Sequence, residues 1–204
     1  NKESSLSSLW RAAAASPQFL SSAMLDNHFD SWRNDVVDFL AKKNSTVNLP
    51  ANHYHKVWFA LAKNCARFNQ HDNAITLLGK LALYDPLYYR LATGERNFEA
   101  IQGHITQKLA QISLNENLHP AKYHKAWFEL AKHCAGFGQE ENCIGLLEKV
   151  ILFSPTYYDA VVSELSAFGQ IQGAVQSLLH RMHADAKTKA KQSISNAERK
   201  LWSA

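Results

Sequence analysis

Apolar positions along this chain recur at helical rather than strand spacing. Trp58, Leu61, Ala62, Cys65 and Phe68 fall at i, i+3, i+4, i+7 and i+10, the stripe of an amphipathic helix, here called helix A. Polar residues at 69–72 mark a turn. Ala74, Ile75, Leu77, Leu78, Leu81 and Ala82 then predict a second helix, B, which stops at Asp85 because the following Pro86 disfavours helical backbone in the residue before it. After a short aromatic segment with Tyr88 and Tyr89, the positions Phe98, Ile101, Ile105, Leu109 and Ile112 predict a third helix led by Phe98.

The whole pattern is duplicated. YHKVWFALAKNCARFNQ, beginning at Tyr54, returns as YHKAWFELAKHCAGFGQ, beginning at Tyr123, a shift of 69 residues. Across residues 54–89 and 123–158, 21 of 36 aligned positions are identical, more than shared helical composition would give. The same shift run backwards links Pro155 and Pro86 to Pro17, and Phe98 to Phe29. Phe168 stands one residue later than the shift requires, after which the IQG at Ile101 reappears at Ile171. The expected organisation is the trailing part of one unit at 1–47, full units at 48–116 and 117–182, and an extension of the last helix at 183–204. Because residue 5 maps onto Ala74, the chain opens inside a helix B, and the natural protein is expected to extend upstream of Asn1.

Helices A and B resemble the 34-residue unit of the tetratricopeptide repeat family. With Trp58 as the aromatic near the start of the unit, the family's Leu-Gly/Ala pair is Leu61-Ala62, its small helix B residue is Ala74 and its closing proline is Pro86; the second unit has Trp127, Leu130-Ala131, Cys143 and Pro155 in these places. Cys65 and Cys134 stand where the family commonly has tyrosine, and Asn69 replaces a glycine that Gly138 keeps. The resemblance spans residues 5–182. It implies an all-α fold, an α-solenoid with three helices per 69-residue unit and a long C-terminal helix. The resemblance also implies a concave groove lined by helix A, with stacked pairs Lys56/Lys125, Phe59/Phe128 and Lys63/Lys132, and Arg67 beside them.

Composition narrows the function classes. No run is long and apolar enough for a membrane span. Three cysteines, Cys65, Cys134 and Cys143, form neither an even set nor a CxxC pair, which argues against a disulfide framework or zinc ribbon and suits a reducing, cytoplasmic setting. Of the 22 basic and 18 acidic residues, 6 and 2 lie at 171–204, so the remaining 16 and 16 leave the body neutral. A nucleic-acid groove needs uncompensated cations, because phosphate neutralisation supplies most of the affinity, and nucleic acid is therefore the weaker partner class.

Catalytic chemistry finds no foothold. His180 and His183 are one helical turn apart near Asp185, but no cysteine is close in sequence and no HExxH pattern is present, so neither a metal nor another cofactor is expected. Cys65 and Cys134 lie on the apolar stripe, where cysteine behaves as a small hydrophobe. Phosphate-cradling and nucleophile-elbow motifs are lacking, and Glu140-Glu141 suit the start of a helix B. Lys56, Lys63 and Arg67 do share one face of helix A, and Lys125 and Lys132 repeat the first two. That face suits an extended peptide with carboxylates and an apolar anchor. The expectation is a protein-interaction scaffold rather than an enzyme; the other readings are a nucleic-acid-binding repeat and a regulatory arm of an enzyme whose catalytic domain lies elsewhere. Finally, Ile171, Val175, Leu178 and Met182 continue into Ala186, Ala190, Ile194, Ala197 and Leu201, predicting a helix of some 30 residues whose Ala-rich seam could serve self-association.

Overall fold

The computed structural model describes residues 2–202, and side chains as far as Ala197; Asn1, residues 203–204 and the seam's Leu201 side chain lie outside this description. The helices are α1 (Lys2–Ala15), α2 (Pro17–Leu25), α3 (Arg33–Thr46), α4 (Ala51–Arg67), α5 (His71–Tyr84), α6 (Leu87–Gly94), α7 (Gln102–Asn115), α8 (Pro120–Gly136), α9 (Glu140–Phe153), α10 (Thr156–Ser163) and α11 (Gln172–Trp202). Three 3-10 turns, Asn27–Trp32, Arg96–Ile101 and Leu165–Ile171, precede α3, α7 and α11. Among the described residues there is no strand, and no helix is long and apolar enough to cross a membrane.

Helix A is α4 and α8, and helix B is α5 and α9, each pair displaced by 69 residues. The expectation of three helices per unit is corrected: a unit has four helices and a 3-10 turn. The aromatic segment after Pro86 is itself a helix, α6, because Tyr88, Tyr89 and Ala92 bury one side of it. Phe98 and Phe168 do not lead the next helix but lie fully buried in the 3-10 turns, and α7 and α11 begin at Gln102 and Gln172. The late position of Phe168 has a local cause. Its turn is 7 residues long against 6 in the preceding unit, and Gly169 at φ 46 takes a left-handed conformation that other residues resist.

Successive contacts make two layers. In one, α2, α4, the 96–101 turn with α6, α8 and the 165–171 turn follow one another; in the other, α1, α3, α5, α7, α9 and α11 do. Every member of the second layer before α11 is 14 residues long, whereas the first alternates 17-residue helices with the broken segments. Each unit is thus two hairpins, one regular and one interrupted. The core lies between the layers, where Trp58, Leu61, Cys65, Trp127, Leu130 and Cys134 are all buried. Both helix A segments end alike: Asn69 (φ 57) and Gly138 (φ 67) turn left-handed, and the next amide donates back five residues, Gln70 N to Cys65 O at 2.8 Å and Gln139 N to Cys134 O at 2.9 Å.

α11 runs for 31 residues. Ile171, at the end of the preceding turn, and Val175 and Leu178 are buried, Met182 is half-buried, and Ala186, Ala190, Ile194 and Ala197 are exposed.

Candidate functional site

The repeated face of helix A meets its own unit. Lys56 and Lys125 are exposed, as is Arg67, but Phe59 is half-buried and Phe128 buried. Phe59 packs on Tyr88 and Phe98 with ring centroids 5.7 and 5.9 Å away, and Phe128 packs on Tyr157 at 5.2 Å. The interrupted hairpin therefore covers the middle of the helix A face that carries Phe59 and Phe128.

Lys63 and Lys132 are engaged there too. The Lys63 ammonium lies 5.5 Å from the Phe59 ring centre and 3.7 Å from Glu95; that of Lys132 lies 4.9 Å from the Phe128 centre, 2.8 Å from Glu129 and 3.0 Å from Glu164. Glu95 and Glu164 sit at the entrance to the 3-10 turns, 69 residues apart. A hydrogen bond from Asn97, with a smaller contribution from Lys63, holds the Glu95 carboxyl below its usual range. Burial works against the Lys132 charge, but hydrogen bonds to Glu129 and Glu164 outweigh it and lift its pKa. Beside these pairs, His55 and His124 hydrogen-bond the hydroxyls of Tyr88 and Tyr157, each at 2.6 Å, which ties helix A to the short helix after the proline.

An open groove of about 480 Å³ lies between α6 and α8. Tyr89, Ala126 and Leu130 give it an apolar floor, and Leu87, 45% exposed, stands at its rim. Arg90, Lys122 and Lys125 bring three cations to it, Lys122 donating to the Tyr84 carbonyl at 2.8 Å, and among the described residues none of the three has a carboxylate within ion-pair distance. Glu129 also reaches this groove but is paired with Lys132, and burial lowers the His133 pKa, favouring the neutral ring. The corresponding space between α2 and α4 is occupied: Met24 and Asn64, at the places of Thr93 and His133, meet there with Asn64 Nδ2 3.8 Å from the Met24 sulfur. A shorter side chain at position 93 is what opens the groove.

Of the residues the sequence pointed to, Lys125 lines this groove. Arg90, Lys122 and Leu87 carry no repeat signal, because self-comparison weights identity and position 90, for one, changes at each step, from Ser21 to Arg90 to Asp159. Elsewhere, among the described residues, no three His, Cys, Asp or Glu side chains cluster as a metal site requires. Compared with known proteins, the chain matches no family model, no curated protein and no solved structure.

Proposed function

We propose that this chain is a protein-interaction module, an α-solenoid of tetratricopeptide-like hairpins, that binds an extended acidic segment of a partner protein in the groove between α6 and α8. The observation that carries this reading is the joining of an apolar floor to three cations without carboxylate partners. An apolar side chain of the ligand would seat on Tyr89, Ala126 and Leu130, and its flanking carboxylates would meet Arg90, Lys122 and Lys125. Lys125 belongs to helix A, so the site keeps the helix A surface while moving it away from Lys63 and Lys132. The three free thiols support placing the module in a reducing, cytoplasmic setting.

Selection from a random peptide display library tests the proposal. Enriched peptides are expected to carry Asp or Glu beside an apolar residue, and Arg90→Glu with Lys125→Glu is expected to weaken them at least about tenfold in a chain of unchanged melting temperature, since exposed charges set binding more than stability. Selection of neutral or basic peptides, or indifference to the double variant, would reject it. Retention of the chain on single-stranded RNA, lost in the same variant, would transfer the groove to nucleic acid.

A further inference from the structure

The internal duplication reveals what covers each successive face of the molecule, and one face of the same construction stays open. At the first step, α4 lies over α1–α3: Tyr54 Oη donates to Ala14 O at 2.9 Å, Leu20 is fully buried, and Trp58 Nε1 donates to Asn44 Oδ1 at 2.7 Å. At the second, α8 lies over α5–α7: Tyr123 Oη donates to Leu83 O at 2.7 Å, Tyr89 is 2% exposed with the Tyr123 ring edge-on at 6.1 Å, and Ser113, at the place of Asn44, is buried. Another 69 residues on, the carbonyl-bearing position is Leu152, 70% exposed, and the tyrosine is Tyr158, only half-buried. Between them and Met182 lies a groove of about 470 Å³, formed by α9, α10 and α11, where the next helix A would sit.

Among the described residues, α11 does not turn back into this groove. α7 ends at Asn115 and Pro120 starts α8, but at the corresponding place α11 continues through residues 186–202, which carries the backbone about 25 Å onward at 1.5 Å per residue. A second copy is no donor of a helix A either, because Tyr54, Trp58, Tyr123 and Trp127 are all buried in their own hairpins. Charge indicates the chemistry of the occupant. Asp159 takes the place of Arg90 and Asp185 that of Asn115, and although Lys189 also lines the groove and Glu148 is paired with Arg181, the open face is more acidic than the covered one.

We propose that the end face of α9, α10 and α11 binds in trans an amphipathic helix of another protein, one presenting tyrosine and tryptophan four residues apart, in the manner of α8, with basic residues beside them. This surface is distinct from the groove between α6 and α8 and does not depend on it.

The chain's own helix A supplies the probe. A fluorescently labelled synthetic peptide of residues 120–136 contains the Tyr-x3-Trp stripe and carries three lysines against one glutamate. It is expected to bind the folded chain saturably at one to one. Leu152→Lys with Asp159→Lys, both at exposed positions, is expected to weaken binding at least tenfold, as is Trp127→Ala in the peptide. Arg90→Glu with Lys125→Glu should leave it unchanged, which separates this site from the first. Absence of saturable binding overturns the proposal, and so does binding that survives the Leu152/Asp159 variant or is lost in the Arg90/Lys125 variant. A dimer in sedimentation that Leu152→Lys with Asp159→Lys disperses would give the face to a second copy and overturn it equally.

Discussion

Cys65, Cys134 and Cys143 have no exposed surface, and burial pushes each thiol up to about 12. Such thiols stay protonated near neutrality and are poor nucleophiles, so labelling by a disulfide reagent at pH 8 should follow unfolding and accelerate with urea. The pH dependence has a definite sign. An acid whose folded pKa is raised keeps its proton in the native state after the unfolded chain has lost it, so stability falls as pH climbs above about 9, by roughly 1 kcal/mol per thiol at pH 10. Urea melts at pH 8 and pH 10 should show the triple Cys→Ala variant losing less between the two pH values than the natural chain; an equal loss would leave the thiols out of it. At the ends of helix A the left-handed residues make a second local test. Gly138→Ala should cost about 1 kcal/mol of unfolding free energy, whereas Asn69→Gly should cost little, because glycine enters that conformation without the Cβ penalty.

At the scale of elements, the hairpins are fastened to one another by side chains that recur at 69 residues. Lys80 on α5 lies 4.3 Å from the Trp58 ring centre and donates to the Asn44 and Val47 carbonyls at the end of α3, and Lys149 on α9 lies 4.4 Å from the Trp127 centre and donates to Ser113 O. Burial lowers the pKa of both lysines. Trp58→Ala should cost about 3–5 kcal/mol and Lys80→Met about 1 kcal/mol, read from urea midpoints, since the first leaves a cavity and the second removes only hydrogen bonds and a cation–π contact. An unchanged midpoint in Trp58→Ala would contradict the packing of α4 described above. The tryptophan could be read from the sequence as core because it stands in a five-member stripe; its lysine clamp could not, because Lys80 and Lys149 reach a helix 36 residues earlier. The same contrast explains the missed helices. α4, α5, α8 and α9 have enough turns to show a periodic stripe, but α6 and α10 have 8 residues each, and in the turn that follows α6 the buried Phe98 and Ile101 look like the opening of α7. The groove beside α6 was less legible still, since it depends on Thr93 being shorter than Met24 and on a cation at position 90 that neither neighbouring unit shares.

Across the whole molecule, charge and packing divide at the same place. Residues 2–182 contain the buried core, whereas residues 183–197 of α11 are all exposed and lie in the segment that holds the basic excess. A helix keeps little stability from propensity alone, and most of it comes from a face packed on something else. The distal half of α11, where Ala186, Ala190 and Ile194 are all exposed, should therefore open locally at much lower free energy than α4 or α8. Two measurements follow from this. Brief trypsin treatment of the folded chain should cut first between Lys187 and Lys191, leaving a resistant fragment that ends near there, although lysines and arginines also occur throughout the core. Sedimentation over a wide concentration range should then decide the seam's role. If the exposed seam pairs with a second copy, the chain should dimerise, the dimer should protect Lys187–Lys191 from trypsin, and Ile194→Glu should abolish both effects. A monomer that is cut rapidly at every concentration would leave the distal half of α11 as a solvated extension and exclude self-association through it.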